Sequence, residues 1–267
     1  MLASLAKNAR IDVIRMLAAA KSGHSGGSLS EIEIIAALYG HEMNHDPQNL
    51  CKPDRDRFVL SKGHGIPGVY AVMANLGYWG RDELLTLRKL DSPFQGHPDV
   101  CRLTGIEAST GSLGQGLSIA VGFALASKLD GDRFRVYTLI GDGESQEGQI
   151  WEAAMSASKY KLDNLVAILD YNKAQIDGFI DEVMPIEPIA DKWTAFGWHV
   201  ISIDGHDFDR IIAAFDEARR TKGKPTFIIA DTIKGKGVSF MEGKVDWHGA
   251  APTEEQAEQA IEEIMSA

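Results

Sequence analysis

Cysteine is close to absent from this sequence. Cys51 and Cys101 are the only two in 267 residues, and they sit in unrelated surroundings. Two thiols without a spacing signature exclude a disulfide framework and a zinc pattern, and they fit a reducing compartment. Long apolar runs are missing too: nothing approaches the roughly 18 residues that a membrane span needs. The opening stretch MLASLAKNARIDVIRMLAAA is interrupted by Lys7, Arg10, Asp12 and Arg15. It reads as an amphipathic helix and not as a signal peptide. Positive charge is scarce, with 27 Lys and Arg against 38 Asp and Glu and a net charge of −11. No Lys/Arg cluster could track a phosphate backbone, which excludes nucleic acid as the main partner. No G-x-G-x-x-G follows the first strand-like segment and no Walker loop occurs, which argues against dinucleotide and P-loop sites. These absences leave a cytoplasmic protein without a membrane segment. They also pose a difficulty: so acidic a chain can hold an anionic ligand only with local dipoles, histidines or a metal.

Hydrophobic residues make up 44% and charged residues 24%, the usual balance of a soluble globular protein. Five short apolar segments ending in Gly, Asp or Asn read as buried parallel strands: Phe58–Leu60, Arg135–Ile140, Leu165–Asp170, Val200–Ile203 and Thr226–Ala230. Helical spacing of apolar residues marks Ser30–Tyr39, Val69–Leu76, Leu113–Leu129, Trp151–Tyr160 and Phe208–Ala218. The alternation predicts an α/β fold, a doubly wound, mostly parallel sheet with helices on both faces. No repeat or low-complexity linker divides the chain, so residues 1–267 are expected to form one domain. The acidic stretch Thr253–Ala267 is expected to be a closing helix.

Glycine and histidine are distributed unevenly. Many of the 27 glycines gather in loops, and four of the eight histidines, His24, His64, His97 and His248, stand beside glycines there. Ligands of open α/β sheets bind beyond the carboxyl ends of the strands, where glycine lets backbone approach ligand. Four histidines in one kind of setting point to a shared site, because imidazoles bind anions and move protons. The sharpest signal is Gly141-Asp142-Gly143 after one predicted strand, followed by Asn172 at the end of the next. A carboxylate and an amide oxygen at two neighbouring strand ends suit magnesium or calcium, with carbonyls, waters and phosphate oxygens completing the shell. The flanking glycines would turn N–H groups to the phosphates, and the next helix would offer its positive end. The bland alternative is that Gly-Asp-Gly is only a turn.

Read with its surroundings, Gly-Asp-Gly followed by Asn172 is similar to the thiamine-diphosphate motif. The segments GHSGGSLS, DPQN, DRDRFVLSKGHG, GHPDV, TGSLGQGLSIAVG, GDGESQEGQIWEA, DYNKAQIDG, TIKGKG and WHGAAP resemble transketolases, in that family's order and over nearly the whole chain. The resemblance implies thiamine diphosphate and a magnesium ion, or calcium, as cofactors. Asp142, Asn172 and the carbonyl of Ala174 match the metal ligands, Gly143 matches the residue whose amide meets the diphosphate, and Gly141 is expected at the cofactor with it. His64 and His248 match histidines at the diphosphate or thiazolium, while His24 and His97 match histidines of the substrate funnel. His24, His97 and His248 would stabilise alkoxides and shuttle protons, as groups titrating near neutrality do. Ile176 matches a contact to the thiazole ring, and Gly111 and Leu113 match contacts to the aminopyrimidine. Glu147 resembles a buried glutamate linking paired active sites, or else is a helix N-terminal carboxylate. Asp170 either supports Asn172 or caps a strand, and Lys234 and Lys236 read as surface charges before phosphate ligands. Ala174, Ser112 and the Ser25-Gly26-Gly27-Ser28 loop depart from the family pattern, and the latter two lie near the substrate entrance. The resemblance covers the diphosphate half alone. The pyrimidine-binding half, its activating glutamate and the basic residues that grip a sugar phosphate are therefore expected from a C-terminal partner subunit, most simply in an α2β2 assembly. The implied reaction moves a two-carbon ketol unit from a ketose or ketose phosphate to an aldose or its phosphate. The alternatives are one chain of a 1-deoxyxylulose-5-phosphate synthase-like or 2-oxo-acid dehydrogenase-like enzyme, or a non-catalytic cofactor-binding subunit.

Overall fold

The computed structural model describes residues 1–266. In chain order it contains α1 (Leu2–Ala20), α2 (Ser25–Ser30), α3 (Ile32–Ala37), β1 (Arg57–Leu60), α4 (Ile66–Asn75), α5 (Gln115–Asp130), β2 (Val136–Gly141) and α6 (Gly148–Lys159). Then follow β3 (Leu165–Tyr171), β4 (Ala174–Gln175), β5 (Gly178–Phe179), α7 (Ile180–Val183), α8 (Ile189–Ala195), β6 (His199–Asp204), α9 (Phe208–Arg220), β7 (Thr226–Asp231) and α10 (Glu254–Ser266). The five long strands form one parallel sheet in the order β1-β2-β3-β7-β6, and β4 and β5 make a small antiparallel hairpin.

Both faces of the sheet are covered, as expected for a doubly wound fold. Alternate strand residues point to opposite faces. Leu60, Tyr137, Ile168 and Ile228 join the core made with α1, α3, α4 and α9. Their neighbours Val59, Val136, Ala167 and Phe227 join a second core made with α5, α6 and α8. Burial on both sides explains why the strands read as unbroken apolar runs.

All five predicted strands form, within a residue or so at each end. The helix predicted over Ser30–Tyr39 is broken: α2 ends before Glu31, whose ψ of −2° interrupts the regular turn, and α3 ends in a π-type turn over Leu38–Glu42. The first helix carries its charges partly inward. Arg10 and Asp12 are buried, paired with Glu33 at 2.6 Å and with Arg81 at 2.7 Å. The closing helix forms over Glu254–Ser266, and Ala267 lies outside the described residues. Among the described residues, no helix is long and apolar enough to cross a membrane.

Parallel strands bring their carboxyl ends to one edge, and that placement builds the site. His64 follows β1, Asp142 follows β2, Asn172 follows β3 and Lys234 follows β7. These are four adjacent strands, so four residues far apart in sequence meet at one rim.

Candidate cofactor and substrate site

Asp142 and Asn172 are brought together as the spacing implied. Asp142 is 3% exposed, and its carboxylate accepts the amide of Gly143 at 2.8 Å and that of Lys173, the residue after Asn172, at 2.5 Å. Burial, assisted by the charge of Asp170, pushes its pKa up to about 6. A bound cation would relieve that cost. The Asn172 amide is clamped from behind, its Nδ2 donating to Asp170 at 3.0 Å and to Ser30 at 3.4 Å. Its Oδ1 accepts the amide of Ala174 at 3.2 Å. The Lys234 ammonium donates to the carbonyl of Ala174 at 2.7 Å and to Asn172 Oδ1 at 3.5 Å. A positive group thus already draws two of the three expected ligand oxygens to one point. Among the described residues no three His, Cys, Asp or Glu side chains gather. The donors are one carboxylate, one amide and one carbonyl, a hard-oxygen set that fits magnesium or calcium with further positions for phosphate and water.

Behind these ligands lies a network that the sequence reading left largely unassigned. Asp170 is fully buried and accepts from Ser30 at 2.6 Å, Lys62 at 2.6 Å, Asn172 and the hydroxyl of Thr232. Its pKa is nonetheless held low, because the Lys62 ammonium and these donors outweigh burial. Asp170 therefore supports Asn172 and is not merely a strand cap. Lys62 is also buried. It reaches Glu31 at 2.7 Å and the carbonyl of Gly27 at 2.9 Å. One ammonium serves two carboxylates, so they differ in charge: burial pushes Glu31 up to about 8 while Asp170 stays ionised.

Lys234, read as a surface charge, is 1% exposed, and burial pulls its pKa down to about 8. The sequence reading missed this because β7 ends in a Gly-rich turn that folds back under the site: Gly235 donates its amide to the carbonyl of Gly26 at 3.0 Å. Lys236 does lie half-exposed, 3.5 Å from Glu242. Glu147 is exposed on this chain and serves as the N-cap residue of α6. Within this chain the buried glutamate of that segment is Glu144, which accepts from Ser61, from Gly114 at 2.9 Å and from Gly141 at 3.0 Å, tying three loops together. Within this chain the amides of Gly141 and Gly143 donate to Glu144 and Asp142. An acidic residue just after Gly-Asp-Gly was the available signal for Glu144.

The four glycine-flanked histidines do converge. Ring centroids of His24 lie 5.1 Å from His64, 6.0 Å from His97 and 5.8 Å from His248, and His64 lies 5.0 Å from His248. Burial first, then nearby Lys and Arg charges, lower His24 to about 4 and His248 to about 3, and depress His64 and His97 as well. They are therefore largely neutral at pH 7, and His24, His64 and His248 do not titrate near neutrality as expected from their type. An anion among them would raise these values. The Nδ1 atoms of His24 and His248 are buried with no hydrogen-bond partner, as polar atoms reserved for a ligand would be. Gly111 has a φ of +129°, and a Cβ there would fall 2.5 Å from the His97 ring, so glycine is required for that loop to pass. Leu113 and Ile176 are 38% and 65% exposed near the rim, apolar surfaces offered outward.

Comparison with known proteins agrees with this arrangement. Residues 2–264 match the family model described as transketolase, thiamine diphosphate binding domain. The chain is 54% identical over 91% of its length to the 6-deoxy-6-sulfo-D-fructose transketolase subunit SqwG of Clostridium sp. strain MSTE9, covering 88% of that protein. It is 45% identical over 94% of its length to an apulose-4-phosphate transketolase subunit of Phocaeicola vulgatus, covering 89% of it. The transketolase crystal structure from Campylobacter jejuni superposes with a TM-score of 0.93 at 36% identity, over 99% of this chain and 42% of that one. The chain thus spans about two fifths of the solved transketolase. A parallel sheet that carries His64, Asp142, Asn172 and Lys234 on adjacent strand ends, matched from residue 2 to residue 264, makes this chain a member of the transketolase family and places it in that family's thiamine-diphosphate-binding domain.

Proposed function

We propose that the chain is the diphosphate-binding subunit of a two-chain transketolase, which moves a two-carbon ketol unit from a ketose or ketose phosphate to an aldose or its phosphate. The observation that carries this reading is the convergence of four neutral histidines, two with unpartnered buried Nδ1 atoms, over a hard-oxygen donor set at one strand rim. Asp142, Asn172 and the Ala174 carbonyl would hold a magnesium ion, with Lys234 shifting from those oxygens toward the diphosphate. Bound thiamine diphosphate would supply the chemistry that opens the C2–C3 bond of the ketose. His64 and His248 would hold its diphosphate end, and Gly111, Leu113 and Ile176 would line its rings. His24, His97 and His248 would exchange protons with substrate hydroxyl and carbonyl oxygens.

A second polypeptide is part of the proposal. Helix α5 is apolar almost all round, which is the pattern of a helix covered on every side. Yet on this chain Gly122 faces open space, Ser118 and Ala126 are exposed, and Leu129 is 77% exposed. With Leu113, Ile176 and Phe179 at the rim, this surface favours a pyrimidine-binding partner that would bring the activating glutamate and cover Glu147. An α2β2 assembly is the simplest form. Purified with its partner, the chain should transfer a ketol unit to an aldose when given magnesium and thiamine diphosphate. No transfer from any ketose by the assembled protein refutes the reading.

A further inference from the structure

Three polar residues outside the site described above meet behind the Gly-rich turn that carries Lys234. Arg10 comes from α1, Glu33 from α3 and His206 from the loop after β6. All three side chains are largely buried, so their contacts are made with little help from water. The Arg10 guanidinium lies 2.6 Å from Glu33, and Glu33 lies 3.0 Å from His206 Nδ1. Both ends of this row reach the turn. His206 Nε2 accepts the amide of Ile233 at 2.9 Å, and Arg10 Nε donates to the carbonyl of Lys236 at 3.1 Å. Arg10 comes so near because residue 237 is glycine: its φ is +92°, and a Cβ there would fall 3.0 Å from Arg10 Nε.

These partners assign the His206 tautomer. An amide donor at Nε2 requires a lone pair there, so the ring proton sits on Nδ1 and is given to Glu33. Burial opposes charge on Glu33, yet the His206 and Arg10 contacts hold its pKa down to about 2, so a carboxylate takes both donors. The turn is thus gripped on either side of Lys234, once at the amide before it and once at the carbonyl two residues on. The Lys234 side chain runs the other way, into the site, to the Ala174 carbonyl at 2.7 Å and Asn172 Oδ1 at 3.5 Å. An ammonium on a flexible four-carbon stem is aimed only as well as its backbone is held.

We propose that His206 is a positioning residue for the cofactor site: backed by Glu33 and Arg10, it sets the turn at 233–236 so that the Lys234 ammonium stands at the ligand oxygens, where a diphosphate would meet it. The inference deepens the proposed function and rests on its placing of thiamine diphosphate at this rim. Among the described residues His206 makes no hydrogen bond to Asp142, Asn172 or Ala174, so it acts through Lys234.

The test is a double-mutant cycle on the protein assembled with its partner, read as thiamine-diphosphate affinity by calorimetry in saturating magnesium. His206→Asn puts an amide near the place of Nδ1, which keeps a donor for Glu33 and loses the acceptor for Ile233. His206→Gln puts its amide oxygen near the place of Nε2 and keeps that acceptor. The Gly235 and Gly243 amides still tie the turn to Gly26 at 3.0 Å and to the Lys234 carbonyl at 2.9 Å, so both variants should fold. His206→Asn should weaken cofactor binding by about tenfold and His206→Gln by less than about threefold. In a Lys234→Met background His206→Asn should change the affinity by less than about twofold, because the residue it aims is gone. Glu33→Gln loosens the same row from behind and should show the same dependence on Lys234. Should His206→Asn fail to assemble, that second cycle decides by the same criterion. Losses that add to that of Lys234→Met, an unaltered affinity in His206→Asn, or equal losses in the two His206 variants overturn the proposal and make the row a structural tie. Absence of cofactor binding by the unsubstituted assembly defeats the cofactor reading itself, whereas binding with an additive cycle defeats only this inference.

Discussion

Replacing Asp170 by asparagine removes the charge on which the ligand support depends. The fully buried carboxylate accepts four donors: Ser30, Lys62, Thr232 and Asn172. Breaking one side of a buried ion pair commonly costs 3–5 kcal/mol, because the remaining charge is stranded. Here Lys62 keeps Glu31 at 2.7 Å, and Glu31 would ionise to take over. The expected loss is therefore near the lower end, about 3 kcal/mol. The asparagine would also present an N–H where Asn172 Nδ2 now donates, freeing the Asn172 amide to rotate. Loss of such a supporting partner typically weakens metal binding by about 10- to 100-fold. Urea unfolding of the protein and a magnesium titration of thiamine-diphosphate binding measure the two effects. A companion Lys62→Met/Asp170→Asn double variant should recover part of the stability, since the stranded ammonium is gone and Glu31 can remain protonated. Stability within about 0.5 kcal/mol of the unsubstituted protein, together with unaltered metal dependence, would refute the reasoning.

Glu31 gives a pH signature. Its folded pKa, about 8, lies above the ordinary 4.5, so the folded state binds the extra proton. Stability from this group is full below about 4.5 and is lost as pH rises through about 8. Thermal unfolding followed from pH 6 to 9 should show a decline that Glu31→Gln flattens. Lys234 has the opposite sense. Its folded pKa, about 8, lies below the ordinary 10.5, so Lys234→Met should stabilise the cofactor-free protein at pH 7. The gain is on the order of 1 kcal/mol, while cofactor affinity falls about tenfold or more. Gly111→Ala should cost about 1–3 kcal/mol for its left-handed backbone and displace His97, so stability and turnover should fall together.

The strands were legible because burial on both sheet faces makes each an apolar run that ends in a small or polar residue. Helix α3 was misjudged at its start because apolar spacing continues straight through Glu31, where the backbone does not. The short elements β4, β5, α7 and α8 carry too few residues for any period to show. At the site, Asp142 and the four histidines could be found because glycine marks strand-end loops, and Asn172 because it ends a predicted strand. Glu31, Lys62 and Lys234 could not, since a charged residue in a sequence reads as a solvated one until its partners are known. Their partners lie far away along the chain: Lys62 meets Asp170, and Lys234 meets Ala174. The depressed histidine pKa values were hidden for the same reason, being set by burial and by the charges of Lys62, Lys234 and Arg88.

The central claim is that a divalent cation held by Asp142, Asn172 and the Ala174 carbonyl is what allows so acidic a protein to hold a diphosphate. Calorimetric titration of thiamine diphosphate into the assembled protein, with magnesium and then with excess chelator, tests it directly. Saturable binding in magnesium that is lost on chelation, and lost again in Asp142→Ala with magnesium restored, is the predicted result. Equal affinity with and without the cation, or an Asp142→Ala protein that binds as the unsubstituted one does, would contradict the account.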